Sequence, residues 1–517
     1  MRISGKNRLM VLVGRSLFAI FLIASSAAVQ TPVFAQSGLP SLGDGSELTT
    51  SAERRLGDRI IRELYRDPDY IDDAVLGEYV QSIWQPLVAA ARARGELTPE
   101  LDERFAWEIL LGRDRTVNAF ALPGGYFGLH LGLVGVVETR DELASVLAHE
   151  LSHVTQRHIS RLLTQQSKQT PLLLGAMVLG ALAASKNPAA TQALVVGGQA
   201  LAIQNQLNFS RDMEREADRI GYGLMAPAGF APQGFAGMFE KLQQANRLND
   251  NGSWPYLRSH PLTTERMADM HSRIPPGTSV RAGAADDRHA MESAMMAARA
   301  RVLANPGVDV LRQWVGEPQG VAFAGQRLAK RAGALYAAAL GSSVLRDADN
   351  ARANVRRLKE LVRSDPAAHR LAVLLGAEIE LAAGAPAAAL AALPATATGR
   401  PELLLRAQAS LRGGASVDTQ AVTGALQTWV TTHPRDASAW QLLASAWQSQ
   451  GQPLRAVRAE AEAHAARYDY AAAVDRFRAG QDMARRTGSA ADYIEASIID
   501  TRLRTVESLL REQAAER

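Results

Sequence analysis

The 517-residue chain contains no cysteine, and aromatic residues make up only 6% of it. Without thiols it cannot form disulfides, iron–sulfur centres, thiolate-bound zinc sites, a catalytic cysteine or a lipid-modified N-terminal cysteine. Any metal ion must therefore be held by His, Asp or Glu. Excess charge is also scarce: the net charge is +4, and four basic residues without an acid lie within residues 1–35. The remainder is formally neutral, which excludes the concentrated basic field of a nucleic-acid-binding protein.

Long hydrophobic runs are rare, and a clear one lies near the start of the chain. Leu17–Val29 is apolar, follows a basic segment and precedes the triplet Val33-Phe34-Ala35, a pattern typical of a cleavable secretory signal peptide. The run is shorter than the ~20 residues that span a bilayer as a helix. We therefore expect cleavage after Ala35 and a periplasmic location, with an uncleaved membrane anchor as the alternative.

The length indicates more than one domain, because single hydrophobic cores stop growing near ~250–300 residues. The hydrophobic fraction of 47% is ordinary for a globular protein. Gly, Ser and Pro punctuation marks two linkers, and strand signals occur almost only between them. The predicted fold is α+β and mostly helical, with a small sheet in the first domain and an all-α second domain. The predicted order is a signal peptide (1–35), a linker (36–50), an α+β domain (51–273), a linker (274–287) and a helical domain (288–517).

The second domain shows a weak internal period. Pro366, Pro401 and Pro434 each precede a helical run, at spacings of 35 and 33 residues. Bulky residues from Trp440 to Trp447 fall where a tetratricopeptide unit places its packing residues. We therefore predict tetratricopeptide-like repeats of uncertain number, with an irregular helical bundle as the alternative.

The first domain alternates strand and helix signals. Its periodicity predicts strands at Phe105–Leu111 and Val117–Leu122, a turn, and a third extended stretch that passes into a helix. Apolar stripes then predict one helix from Asp141 to about Leu163 and another over Arg211–Met225.

The first of these helices carries an H-E-x-x-H sequence, His149-Glu150-Leu151-Ser152-His153. Two histidines four residues apart lie on one face of a helix, so both imidazoles can bind one zinc ion. Glu150 lies next to them, within reach of a zinc-bound water.

A hydrolytic zinc site needs three protein ligands and one open position. His158 lies five residues after His153, ~140° around the predicted helix and on the wrong face for the same ion, so we interpret His158 as a surface or packing residue. Glu214 is the better third ligand. Asp218, four residues later on the same face, can accept a hydrogen bond from a ligand imidazole. Glu216 points elsewhere on this reasoning, and the alternative is an ordinary charged helix face.

This set of residues predicts peptide hydrolysis. Zinc lowers the pKa of a bound water to about 7 and polarises the scissile carbonyl. Glu150 would take the proton and pass it to the leaving amine. His260 and Arg266 are candidate donors to the oxyanion. His260 has two further interpretations: an inhibitory fourth ligand in a resting state, or an ordinary loop histidine.

Four ordered motifs resemble those of the CAAX-prenyl-protease/HtpX-like zinc metallopeptidase family. They are Asn118–Gly125, Glu142–His153, Glu214–Asp218 and Ser259–Pro261. The resemblance implies a zincin-type metalloprotease domain with one zinc ion. It also implies that His149, His153 and Glu214 are the ligands and that Glu150 is the base.

The same resemblance implies further roles. Asp218 would support a ligand, and His260 and Arg266 would belong to the active-site cleft. The strand Asn118–Gly125 would be the edge strand that pairs with an extended substrate by β-augmentation. Its substrate-binding residues would be Asn118, Ala119, Phe120, Ala121, Gly124 and Gly125. Together with the helical domain at 288–517, called the helical tail below, the resemblance implies quality control of outer-membrane proteins and chaperone-like assistance to their assembly. It also implies contact between the helical tail and the barrel-assembly machinery.

Two questions stay open in the sequence. Residues 171–203, an apolar insertion, predict a helical hairpin packed on the catalytic core, with a mobile lid or a patch for membrane or substrate as alternatives. The competing function is a tetratricopeptide scaffold or chaperone whose peptidase site is silent or vestigial.

Overall fold

In the computed structural model, the chain from Leu48 to Arg517 forms one compact unit. The predicted signal peptide, the linker at 274–287 and the insertion at 171–203 lie outside the described residues. The described residues are 48–166, 210–247, 253–273, 289–395, 398–413, 419–487 and 493–515.

The first part of the chain surrounds a small sheet with helices. The first elements follow in the order α1, β1, α2, α3, β2, β3, β4 and α4, and α5 to α10 come after them. The helices are α1 Thr50–Arg66, α2 Ala74–Ala93, α3 Pro99–Arg104, α4 Leu131–Val136, α5 Arg140–Thr155, α6 His158–Gln166, α7 Arg211–Met225, α8 Gln233–Arg247, α9 Tyr256–Ser259 and α10 Thr264–Arg273.

The sheet has four strands in the order β1-β2-β4-β3. They are β1 Tyr70–Ile71, β2 Glu108–Gly112, β3 Ala119–Leu122 and β4 Tyr126–His130. β2 runs parallel to β4, whereas β1 and β3 pair antiparallel with their neighbours. Gly124 and Gly125 turn the chain between β3 and β4 with φ of 75° and 79°, a conformation that glycine adopts without strain. β3 therefore lies at an edge of the sheet formed by the described strands.

The prediction of a single long helix from Asp141 to about Leu163 is wrong. Helix α5 ends at Thr155, and Arg157 has φ of 54°, a left-handed conformation that interrupts the helix before α6 begins. This break redirects the chain immediately after the H-E-x-x-H sequence. His158 is therefore not one helical step beyond His153, and the angular argument about its direction does not apply.

Every described element after residue 289 is helical. The bounds are α11 Ala290–Leu303, α12 Val308–Gly316, α13 Leu328–Val344, α14 Ala348–Leu361, α15 Pro366–Ala382, α16 Pro386–Ala392, α17 Arg400–Arg412, α18 Gln420–Thr432, α19 Ala437–Ser449, α20 Pro453–Ala466, α21 Tyr470–Thr487 and α22 Tyr493–Ala515, with short 3₁₀ turns at Glu317–Gln319 and Phe323–Gly325. The predicted α+β, mostly helical fold class is confirmed.

The apolar core is continuous between the two parts of the chain. One cluster of buried side chains extends from Val75 on α2 through Leu147 on α5 to Leu375 on α15. The boundary that the sequence predicts between a peptidase domain and a helical repeat domain stays a prediction. None of the described helices is long and apolar enough to cross a bilayer.

Candidate metal centre

Helices α5 and α7 approach closely enough to bring their polar side chains together. Thr139 caps α5 by accepting a hydrogen bond from the Glu142 amide, and Ser210 caps α7 in the same way. Gly221 faces the Ala148 backbone, where an added Cβ would lie 3.1 Å from the carbonyl oxygen. The missing side chain therefore lets α7 pack against the turn that carries the two histidines.

Four buried residues offer ligand atoms that all lie within 4.8 Å of one another: His149, His153, Glu214 and His260. The Nε2 atoms of His149 and His153 are 3.0 Å apart. Each lies 3.5 Å from an oxygen of Glu214, and Nδ1 of His260 is 3.0 Å from Glu214 Oε1. The structure thus brings together the three predicted ligands and one predicted cleft residue.

The donor set fits a divalent cation. Nδ1 of His149 lies 2.9 Å from Asp218 Oδ1 and can donate to it, so Nε2 is the nitrogen available to bind a metal ion. The Nε2 atoms of His149 and His153 thus converge beside a buried carboxylate, which is the arrangement that a cation bound between them requires. In addition, Glu150 Oε1 is buried and makes no hydrogen bond with a described residue. Nitrogen and carboxylate ligands in a buried site of this size suit zinc.

Burial and neighbouring charges set the protonation of the site. Burial, followed by the charge of His149, holds the pKa of His153 well below its usual range, which favours the neutral imidazole that metal binding requires. Burial raises the pKa of Glu150, as suits a base that must also release its proton. Burial opposes ionisation of Glu214, but His260 and His149 hold its pKa well below the usual range.

Arg266 contacts the predicted ligand Glu214 and its neighbour Asp218. Its Nε and Nη2 donate to Asp218 at 2.6 and 2.8 Å, and its Nη1 lies 2.7 Å from Glu214 Oε2. These contacts engage the guanidinium with the two carboxylates and favour a role in orienting them. An oxyanion role for Arg266 stays a prediction.

The edge strand β3 reaches the centre through its backbone. The His130 amide donates to the Asn118 carbonyl. In an antiparallel pair such bonded positions alternate, so Ala119 and Ala121 turn their N–H and C=O groups away from β4. In agreement, the Ala121 amide donates to Glu150 Oε2 at 3.0 Å.

Other residues of the predicted substrate strand lie elsewhere. The Phe120 ring covers Gly128, where an added Cβ would lie 2.1 Å from it. Gly124 and Gly125 lie in the β3–β4 turn, against Arg54 and Phe105. The Asn118 side chain has a buried oxygen without a hydrogen bond to a described residue. Substrate binding by these residues stays a prediction.

Sequence reasoning missed two neighbours of the ligands. The Tyr256 ring stacks on His260 with 4.6 Å between centroids. Burial raises the pKa of the Tyr256 hydroxyl well above the usual range. His158 is fully buried, with Nδ1 2.9 Å from Nδ1 of His153. A histidine five residues after the motif was a visible signal, but the predicted continuous helix directed it away.

Known proteins resemble this chain at the level of sequence. Residues 77–274 match the model of the family described as Peptidase family M48. A relative from Vibrio cholerae is 34% identical over 288 residues, which cover 55% of this chain and 57% of that protein. The β-barrel assembly-enhancing protease of Escherichia coli (strain K12) is 29% identical over 472 residues, 88% of this chain and 90% of that protein. The mitochondrial metalloendopeptidase OMA1 of Saccharomyces cerevisiae is 28% identical over 206 residues, 39% of this chain and 56% of that protein.

Proposed function

We propose that this chain, whose residues 77–274 match the model of peptidase family M48, is a zinc metalloprotease that cleaves unfolded or stalled outer-membrane β-barrel proteins in the periplasm. The observation that carries the proposal is a buried His149–His153–Glu214 cluster with Glu150 beside the edge of β3. The similarity to the β-barrel assembly-enhancing protease of Escherichia coli supports the substrate class, and the signal-peptide pattern supports the compartment.

The two carboxylate oxygens of Glu150 have different neighbours. Oε2 accepts the Ala121 amide and fixes the carboxylate, while Oε1 lies 3.4 Å from His260 Nε2 and faces the ligand cluster. Bound zinc supplies Lewis acidity and lowers the pKa of water. Oε1 is therefore the atom that takes the proton from water and delivers it to the leaving amine.

We place the substrate along the free edge of β3. The Val117 amide and carbonyl already bond to Ser253 and Tyr256, so this segment occupies the edge just before β3. Ala119 and the Ala121 carbonyl continue the same edge toward Glu150. An unfolded β-barrel protein offers extended segments whose backbone groups pair there by β-augmentation, whereas a folded barrel has its strands already paired.

The test uses the full zinc-loaded chain and an unfolded outer-membrane β-barrel protein, with the same protein folded in detergent as the control. We expect cleavage of the unfolded form alone. Ala119→Pro removes an N–H from the free edge and leaves the β3–β4 bonds intact. It should lower kcat/KM about 10-fold, which corresponds to the net free energy of roughly one or two backbone hydrogen bonds.

The Ala119→Ser variant keeps the N–H and is the matched control, expected to cleave at the wild-type rate. Equal kcat/KM for Ala119→Pro and Ala119→Ser would remove β3 from substrate binding. Equal cleavage of folded and unfolded barrel protein would reject the proposed substrate class.

His260 is proposed as a fourth ligand that closes the site at rest. Its Nδ1 lies 3.0 Å from Glu214 Oε1 and 3.3 Å from Nε2 of His149, inside the ligand cluster. His260→Ala should therefore raise kcat several-fold on a short unfolded substrate, with one zinc ion retained. A lower kcat would instead support the oxyanion role, and an unchanged kcat would remove His260 from the mechanism.

The helical tail is proposed to contact the barrel-assembly machinery and to assist barrel assembly as a chaperone-like surface. Its support is the similarity to the Escherichia coli protein across 88% of this chain, which extends beyond the peptidase match. Co-purification of the full chain with that machinery from envelope membranes tests the contact, and its absence would remove the partner.

A further inference from the structure

Behind the second zinc-binding histidine lies a chain of polar side chains that the predicted mechanism does not use. His158 begins α6 directly after the left-handed Arg157. Its Nδ1 is 2.9 Å from Nδ1 of His153, and its Nε2 is 3.0 Å from Glu216 Oε2. Arg161 lies 3.1 Å from the same oxygen. The side chain of His158 is fully buried, and Glu216 is the partly exposed end.

With a metal ion on Nε2 of His153, one placement of protons satisfies the contacts from His153 through His158 to Glu216. His153 uses Nε2 for the metal, so its proton is on Nδ1, the atom that faces His158. The Nδ1 atom of His158 must then be an acceptor, and its proton must be on Nε2. That proton is donated to Glu216, which accepts it as a carboxylate. Any other tautomer of His158 would place two N–H groups, or two lone pairs, against each other.

Helix α7 supplies the carboxylates behind both imidazoles. Glu214 faces the metal position, Asp218 supports His149 directly, and Glu216 supports His153 through His158. Each supporting carboxylate is itself paired with an arginine, Arg266 at Asp218 and Arg161 at Glu216. The two ligand histidines are thus held by equivalent arrangements that differ by one inserted imidazole.

We propose that His158 and Glu216 are positioning residues, which fix the tautomer and orientation of His153 and thereby set the zinc affinity. Residues behind a ligand histidine determine which ring nitrogen faces the metal, and their loss weakens metal binding by ~10- to 100-fold. Because Glu216 acts through His158, its removal should have the smaller effect.

The test measures zinc affinity of the full chain by competition with a chromophoric chelator. His158→Ala should weaken zinc binding by ~10- to 100-fold. His158→Asn should recover most of the loss, because the Asn Oδ1 atom can take the acceptor position of Nδ1. Glu216→Ala should give an intermediate loss. Exposed His271 provides the matched control, and His271→Ala should bind zinc as the wild type does.

Two further measurements separate positioning from general destabilisation. The thermal midpoint of each metal-free variant shows whether the fold is kept, and the absorption spectrum of the Co²⁺-loaded protein reports ligand geometry. Positioning requires that His158→Ala changes the spectrum and that His158→Asn restores it. Wild-type zinc affinity in His158→Ala would overturn the proposal. Equal losses in His158→Ala and a folded His158→Asn would also overturn it. If His158→Ala does not fold, His158→Asn and Glu216→Ala decide the outcome. Wild-type zinc affinity in Glu216→Ala would then reject the proposed link from Glu216 through His158 to His153.

Discussion

Glu150→Gln should abolish most proteolysis while zinc stays bound. The amide has nearly the same shape as the carboxylate and can still accept the Ala121 N–H, so the cleft is preserved. It cannot take a proton from water, and loss of a general base typically costs ~10²- to 10⁴-fold in rate. We expect that fall in kcat on an unfolded protein substrate, with one zinc ion per chain by metal analysis.

Glu142→Gln is the matched control, since Glu142 is another buried acid of α5, its pKa also raised by burial, and it lies away from the ligands. It should retain wild-type kcat. The same pair of variants separates the two candidate functions in cells. If Glu150→Gln supports envelope integrity as well as Glu142→Gln does, the chain acts mainly as a scaffold or chaperone and its peptidase site is dispensable.

The pairing of polar side chains within each helix was predictable because local spacing fixes it. Four-residue steps put His149 beside His153, and Glu214 on the same face as Asp218, whatever the rest of the chain does. Edge-strand placement of β3 came only from the family resemblance, since strand order depends on contacts that a single segment does not reveal. The structure places β3 at the edge and so agrees with that expectation.

The surroundings of the ligands were less predictable. No glycine marks the end of α5 at Arg157, so nothing in the local pattern signals the break. That one residue decides whether His158 turns away from His153 or lies against it. Arg266 was placed in the cleft, but its engagement with Asp218 and Glu214 depends on how α10 packs on α7. Such long-range contacts are set by tertiary packing and are not encoded in spacing.

Several ion pairs between the helical tail and the first part of the chain share one pattern that the sequence does not reveal. Four tail arginines each bind one acid from the first part and one polar partner from the tail. Arg299 joins Asp73 to Glu378, Arg370 joins Glu78 to Glu402, Arg400 joins Asp72 to Asp436, and Arg435 joins Glu108 to Tyr468. Because guanidinium groups have fixed planar donors, these bridges hold the two parts in one orientation.

Arg299 is the most buried of these arginines and gives the sharpest test. Its five N–H donors bind Asp73, Glu378 and the Tyr336 hydroxyl at 2.7 to 2.9 Å. Arg299→Ala would leave two carboxylates buried without a cation, and breaking such a pair costs about 3–5 kcal/mol in the free energy of unfolding. We expect a correspondingly lower urea midpoint by tryptophan fluorescence. Exposed Arg312 is the control, because Arg312→Ala should change stability by less than about 0.5 kcal/mol.

The pH dependence of Arg299→Ala identifies the cause of its destabilisation. Burial already raises the pKa of Glu378, and removing the neighbouring cation should raise it further. A carboxyl whose pKa is higher in the folded than in the unfolded protein is stabilised by protonation, so the deficit should shrink as pH falls below that folded pKa. The Arg299→Ala, Glu378→Gln double variant should recover part of the loss at neutral pH for the same reason. A deficit that is equal at pH 5 and pH 8, with no recovery in the double variant, would mean that lost packing and not buried charge destabilises the protein.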